Sequence, residues 1–232
     1  MKDIAKLEKI LKVKFKNKDL LIQAVVHRSY LNEHPEFKLD HNERLEFLGD
    51  AILEMVVTDH LYKHYPNPEG ELTNWRASLV NSITLANIAE QLDIEPFLYL
   101  SRGEAKDSNA KSRQYILANA MESIIGAIYL DLGLIAVKKF IEKNIISKLK
   151  DILAKKLYID PKSYFQEAAQ EKLSITPIYK VLKSSGPDHA KIFEIGAYLE
   201  KELVATGKGT SKQEAQTEAA KNALAQKNWQ IK

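Results

Sequence analysis

Through the first 150 residues, apolar side chains return every three or four positions with little strand-like alternation. That period predicts helices over about 3–13, 18–29, 41–65, 71–91, 112–132 and 134–150. "YPNPEGEL" (65–72) interrupts it with two prolines and a glycine, and "SRGEAKDSNAKSR" (101–113) reads as a polar loop. After Asp160-Pro161 the texture changes. "PKSYFQEAAQEKL" reads as a helix, "TPIYKVLKSSG", "AKIFEIGAYLE" and "ELVATGKG" alternate like strands, and the alanine-rich "SKQEAQTEAAKNALAQK" closes as a helix. The expectation is an all-α domain over 1–150, a lysine-rich linker over 151–159 and a small α+β domain over 160–232 in α-β-β-β-α order.

Composition sharpens this only locally. Hydrophobic residues make up 45% and charged residues 28% of 232, the balance of an ordinary globular protein, and the formal net charge is +3. From Asp160 onward there are 11 lysines, no arginine and 9 acidic residues, so any basic surface must be local. The absence of cysteine excludes disulfides and thiolate zinc sites and suits a reducing compartment. "MKDIAKLEKI" is too charged for a secretory signal, and the apolar run 124–130 is far too short to span a bilayer. A cytoplasmic protein with no membrane partner is expected.

The predicted helix over 41–65 carries an acidic stripe. Glu43, Glu46 and Asp50 fall within roughly 60° of arc, with Leu45, Leu48 and Ile52 on the opposite side. Like charges at this spacing cost a few tenths of a kcal/mol per pair, and a solvated face would explain them for an isolated helix. Asp50 beside Gly49 adds two poor helix formers mid-helix. "ILANAMESIIGAIYL" (116–130) is apolar nearly all round, with Glu122 its only charge and Asn119 one turn earlier on the same face. A lone buried carboxylate costs several kcal/mol unless compensated. Either an arginine such as Arg76 or Arg113 pairs with Glu122, or Asn119 and Glu122 stand opposite Glu46 and Asp50 around a hard cation. Oxygen donors with retained waters suit Mg²⁺.

"NERLEFLGDAIL" resembles the signature of the ribonuclease III family. The resemblance continues through "AVVHRSY" (24–30), "EGELTNWRASLVN" (69–81) and "ILANAMESIIGAIYLDLG" (116–133), then into a double-stranded-RNA-binding domain. It implies a Mg²⁺-dependent endonuclease, with Mn²⁺ as a substitute, that forms a homodimer and cuts both strands of double-stranded RNA. Ribosomal RNA precursors and messenger RNAs are the implied substrates. By the same resemblance Glu46, Asn119 and Glu122 hold the metal, Asp50 and Glu122 are catalytic, and Glu43 and Glu69 line the cleavage valley. Asn119 departs from the family, which has aspartate there; its amide oxygen still ligates Mg²⁺ but removes one negative charge. The alternative is a catalytically silent double-stranded-RNA-binding protein. Apolar residues around Phe47 and Leu48 are compatible with a dimer. His27, Arg28 and Ser29 are read as packing or capping residues, His41 as a turn residue and Glu54 as solvated.

In the second domain Ser211 and Glu214 have capping-box spacing, and Lys212 at the first helical position opposes the helix dipole. A phosphate docked there would remove that conflict. By resemblance to double-stranded-RNA-binding domains, Gln166 and Glu167 face one minor groove, Pro187 and His189 the next, and Lys212 the phosphates between them. Such recognition reads A-form shape and 2′-hydroxyls. Gln213 and Gln216 stand where that family has further lysines, which implies fewer phosphate contacts.

Overall fold

The computed structural model describes residues 2–187 and 191–229. The chain divides into two compact units, Met1–Tyr158 and Ile159–Lys232.

The first unit is helical. Helix α1 (Ile4–Leu11) starts on Asp3, whose carboxylate accepts from the Lys6 amide, and α2 (Lys18–Ala24) starts on Asn17. The single helix expected over 18–29 stops at Ala24. Val26 instead bridges to Tyr99 in parallel, and His27 caps a separate helix α3 (Arg28–Glu33), its Nδ1 accepting from Ser29. Helix α4 (Glu43–His64) covers the acidic stripe. The helix expected over 71–91 is also two. α5 (Glu69–Val80) and α6 (Ser82–Gln91) meet at Asn81, whose side chain accepts from the Thr84 amide and donates to the carbonyls of Ala77 and Ser78. A 3₁₀ turn (Glu95–Phe97) follows, and the expected polar loop contains a short helix α7 (Arg102–Lys106) capped by Ser101. The helices expected over 112–132 and 134–150 form α8 (Ala110–Asn144), which is broken at Gly133, where φ is 79° and ψ 179°, at the expected division. A positive φ combined with an extended ψ suits glycine alone among ordinary residues.

A second 3₁₀ turn (Ile146–Lys148) leads into α9 (Leu149–Ala154). This helix takes in the first part of the stretch read as a linker and buries Leu149 and Ile152 in the helical core. That core is built around α4 and α8, with Leu53, Val57 and Leu61 of one and Leu117, Met121, Ile124 and Ile125 of the other almost wholly buried. Among the described residues no helix is long and apolar enough to cross a membrane.

The second unit is α10 (Pro161–Leu173), three antiparallel strands β1 (Ile178–Ser185), β2 (Ile192–Leu199) and β3 (Glu202–Gly209) in that order across the sheet, and α11 (Lys212–Gln226). Asp160 caps α10 ahead of a proline at its first position. Both helices pack on the sheet. Phe165 and Ala169 of α10 meet Ala197 and Leu199 of β2 and Ala219, Ala220 and Ala223 of α11, and Trp229 closes over Phe165 at 5.6 Å between ring centroids. Glycines of β3 are what let α11 lie close. A Cβ on Gly209 would stand 2.6 Å from the Ala215 nitrogen, and one on Gly207 would collide with the Ala219 nitrogen.

Candidate functional site

Helices α4 and α8 cross at glycine against glycine. A Cβ on Gly49 would run into the Glu122 carbonyl, and one on Gly126 into the Leu45 carbonyl. Bare backbones therefore touch, and side chains flanking the two glycines are brought closer together than ordinary helix packing at 8–10 Å allows. This corrects the expected division of α4 into opposed stripes. Its packed face runs through Leu45, Gly49, Leu53, Val56 and Val57, while Leu48 and Ile52 are only half-buried. The acidic stripe borders that face, so Glu46 is half-buried and the charge of Asp50 reaches α8.

Glu122 is the electrostatic centre of the crossing. Burial first, then the charges of Asp50 and Glu46, push its carboxyl up to about 8. Neither arginine weighed as its partner is available. Arg113 binds Glu95 at 3.2 Å and the carbonyls of Glu104 and Ala105, and Arg76 donates to Thr58. No cation pairs with Glu122 among the described residues. Across the crossing, Glu46 is also raised, by burial and then by Glu43, against a hydrogen bond from the Asn119 side chain that works the other way. Next to Glu122, the buried Ser123 hydroxyl donates to the Asn42 carbonyl at 3.2 Å, and the Asn42 amide donates to Val26. The start of α4 is thereby pinned to the middle of α8.

The other acidic candidates lie further out. Glu43 is exposed and pairs with Arg28 at 3.3 Å. Glu69, the first residue of α5, accepts from the Thr73 hydroxyl and lines a cavity of about 630 Å³ with Tyr62, Tyr65 and Arg76. It is not among the groups acting on Glu46 or Glu122. Among the described residues, no three His, Asp or Glu side chains are gathered to hold a metal ion by themselves. What the crossing offers is two carboxylates, Glu46 and Glu122, an amide, Asn119, and a further carboxylate, Asp50.

In the second unit Gln166 and Glu167 are exposed on α10, on the side away from buried Phe165, Ala168 and Ala169. Pro187 is exposed after Gly186, whose φ of 94° turns the chain out of β1, and His189 lies outside the described residues. Lys212 opens α11 and is exposed. The Ser211 hydroxyl accepts from the Glu214 amide at 3.2 Å. The Glu214 carboxylate accepts from the amide and hydroxyl of Thr210 at 2.7 Å each. The capping geometry is thus displaced by one residue from the reciprocal box. The sequence marks Gly49 as a poor helix former but not as half of a helix crossing, and Gly126 and the Ser123 tie go unread. Gly126, a poor helix former four residues after the lone Glu122, was the available signal.

Known proteins share this architecture. A family model described as Ribonuclease-III-like matches residues 17–149, and one described as Double-stranded RNA binding motif matches residues 161–227. The protein named Ribonuclease 3 in Carboxydothermus hydrogenoformans is 43% identical over 223 residues, covering 96% of this chain and 94% of its own. Its namesake in Nitratiruptor sp. is 43% identical over 225 residues, covering 97% and 96%. The solved nuclease domain of ribonuclease III from Campylobacter jejuni matches with a TM-score of 0.55 and 40% identity, over 64% of this chain and 97% of that one. With a helical unit and an α-β-β-β-α unit each in its place, the chain belongs to the ribonuclease III family of endoribonucleases and carries a double-stranded-RNA-binding domain.

Proposed function

We propose that this chain hydrolyses phosphodiester bonds of double-stranded RNA with Mg²⁺ held at the α4–α8 crossing. The observation that carries the reading is Glu122, a largely buried carboxylate raised further by the charges of Asp50 and Glu46, with no cation paired to it among the described residues. An all-oxygen set of two carboxylates and one amide matches an ion that keeps several waters and takes only one or two carboxylates. Glu46, Asn119 and Glu122 would hold the metal. When bound, it neutralises charge on the phosphoryl oxygens and makes water a nucleophile near neutral pH. Asp50, exposed at the rim, orients the attacking water and takes its proton. Glu43 lines the approach, and Glu69 would join the acidic valley from its own cavity apart from the crossing. Their negative charge also disfavours an RNA backbone seated without cations.

The second domain docks A-form RNA through Gln166 and Glu167 on α10, Pro187 and His189 after β1, and Lys212 on phosphates. A homodimer gives two such centres, one for each strand. Phe47 and Tyr62 support it, 81% and 80% exposed on α4. So does the Campylobacter jejuni nuclease domain, described as having a region involved in dimer formation. Structured ribosomal RNA precursors and messenger RNAs, in the reducing cytoplasm that a cysteine-free chain suits, are the substrates we favour.

The test is a long RNA duplex incubated with the full chain and Mg²⁺ or Mn²⁺. Cleavage that vanishes with chelator and in Glu122→Ala, while duplex binding persists, is the expected result. Cleavage that survives Glu122→Ala removes the site assignment. Cutting only by Asn119→Asp, and not by the chain itself, makes the protein a silent binder.

A further inference from the structure

Lys162, in the first turn of α10, reaches out of its own helix. Its ammonium donates to Oε1 of Gln216 on α11 at 2.7 Å and stands 5.3 Å from the centre of the Tyr179 ring on β1, within cation–π range. Gln216 lies one turn beyond Lys212, hence on the same face of α11. The two lysines thus supply two positive charges along one stretch of helix, one from α11 itself and one delivered from α10.

Both charges are left unneutralised. Among the described residues of this unit Lys208 pairs with Glu194, Lys221 with Glu218 and Lys227 with Glu202, and neither Lys162 nor Lys212 forms an ion pair. The partners of Lys162 are a neutral amide oxygen and an aromatic face. They fix the ammonium in place without cancelling its charge. A lysine serving only to clasp two helices has a carboxylate as its better partner, because charge-assisted bonds are about twice as strong as neutral ones. A fixed, uncancelled cation at the opening of α11 is what an anionic backbone recognises.

We infer that Lys162 is a second phosphate-binding residue of the RNA interface, positioned by Gln216 and Tyr179 to act beside Lys212. The inference rests on the proposed RNA-binding role of the α11 opening. It assigns to α10 a phosphate contact in addition to the groove contacts of Gln166 and Glu167.

The experiment titrates the full chain, with chelator to prevent cutting, onto a fluorescent perfect RNA duplex over a series of KCl concentrations. Wild type, Lys212→Met, Lys162→Met and Lys162→Arg are compared, and each is melted to verify folding. Each lost phosphate contact should flatten the slope of log K against log salt by about 0.9. Lys162→Met and Lys212→Met are expected to show that flattening, and Lys162→Arg to restore the wild-type slope. Flattening by Lys212→Met but not by Lys162→Met overturns the inference alone. Weaker binding by Lys162→Met at unchanged slope, with a lowered melting temperature, also overturns it and makes the residue a structural clasp. An unchanged slope in Lys212→Met as well removes the underlying reading of the α11 face.

Discussion

The two domains solve the same packing problem and leave opposite charges behind. In the first, α4 and α8 meet through Gly49 and Gly126, and the crossing sets the charges of Glu46 and Asp50 against Glu122, with no cation paired to Glu122 among the described residues. In the second, α11 lies on β3 through Gly207 and Gly209, and the junction presents Lys212 and Lys162, neither paired to a carboxylate among the described residues. Glycine is used in both for its missing Cβ, at ordinary negative φ in all four cases. Glu46 and Glu122 are half-buried and their carboxyls are pushed up, so their charge destabilises the fold until something positive arrives. The basic face is exposed or held by neutral partners, so its charges cost little while they wait. A metal site has to be desolvated to act as one, whereas a phosphate-binding surface works in water.

The largest effect is expected from filling the acidic crossing. Alanine is the better helix former by about 1 kcal/mol in solvent, yet at position 49 its methyl meets the Glu122 carbonyl, which is backbone and cannot swing aside. Gly49→Ala should cost on the order of 3 kcal/mol or more, at the upper end of overpacking, and should abolish cleavage by prising Glu46 and Glu122 apart. Gly207→Ala should be comparably severe for the second domain, where the obstacle is the Ala219 nitrogen. Thermal melts and duplex cleavage separate the two. Loss of cutting with a native-like melt in Gly207→Ala would mean that the β3–α11 contact governs RNA docking rather than stability.

Next in size is the cost of the Glu122 charge. Its carboxyl is raised from 4.5 to about 8 in the folded protein. A raised carboxyl gives stability that is complete below the unfolded value and lost as pH climbs through the folded one. Metal-free protein should therefore lose stability between about pH 4.5 and pH 8, by on the order of a few kcal/mol. Glu122→Gln should remove that slope and make the chelated protein more stable at pH 8, while ending catalysis. Mg²⁺ should restore the wild type and leave the variant unmoved. Chemical denaturation with chelator and with Mg²⁺ at pH 5 and pH 8 measures all four states, and a wild type as stable at pH 8 as at pH 5 without metal contradicts the site.

Much of this is legible in the sequence, and the failures have physical causes. Helical period and the turn to alternation after Asp160 convey the α and α+β units, because burial of one face imposes those periods. The breaks at His27 and Asn81 escape because periodicity continues through them. What stops each helix is a side-chain cap, a local hydrogen bond that leaves hydrophobic spacing untouched. The solitary charge of Glu122 is visible, but what it faces is not, since that depends on two bare backbones meeting 77 positions apart at Gly49 and Gly126. A helical wheel centred on Leu45, Leu48 and Ile52 placed the packed face too far from the acids for the same reason. Glycine weighs nothing on a hydrophobicity scale, yet it is the centre of the contact. Glu69 is a different case. Its acidity is plain in the sequence, while one chain sets it in the Tyr62–Tyr65–Arg76 cavity, apart from the crossing.

A smaller, signed effect follows at Asn119. Aspartate there would give up the hydrogen bond that now lowers the Glu46 carboxyl and add a fourth carboxylate to Glu46, Asp50 and Glu122. The metal-free protein should become less stable, and affinity for Mg²⁺ should rise, roughly tenfold or about 1.4 kcal/mol. Titrating Mg²⁺ against cleavage rate in Asn119→Asp and wild type gives the ratio. Equal metal dependence would show that Asn119 contributes neither charge nor oxygen to the site.

The smallest expected change has the opposite sign to the first, though the substitution is the same. Gly70, in the first turn of α5, has nothing within 4 Å of where a Cβ would stand, and its φ is negative. Gly70→Ala should therefore stabilise by about 0.5 kcal/mol, through helix propensity and a less free unfolded chain. Since Gly49→Ala and Gly70→Ala share every intrinsic term, the gap between them isolates the close approach of α4 to α8. A loss at Gly70 would carry its own lesson. The space beside α5 is open in a single chain, so destabilisation there, growing with protein concentration, would place a second copy of the chain against Glu69 and the cavity it lines.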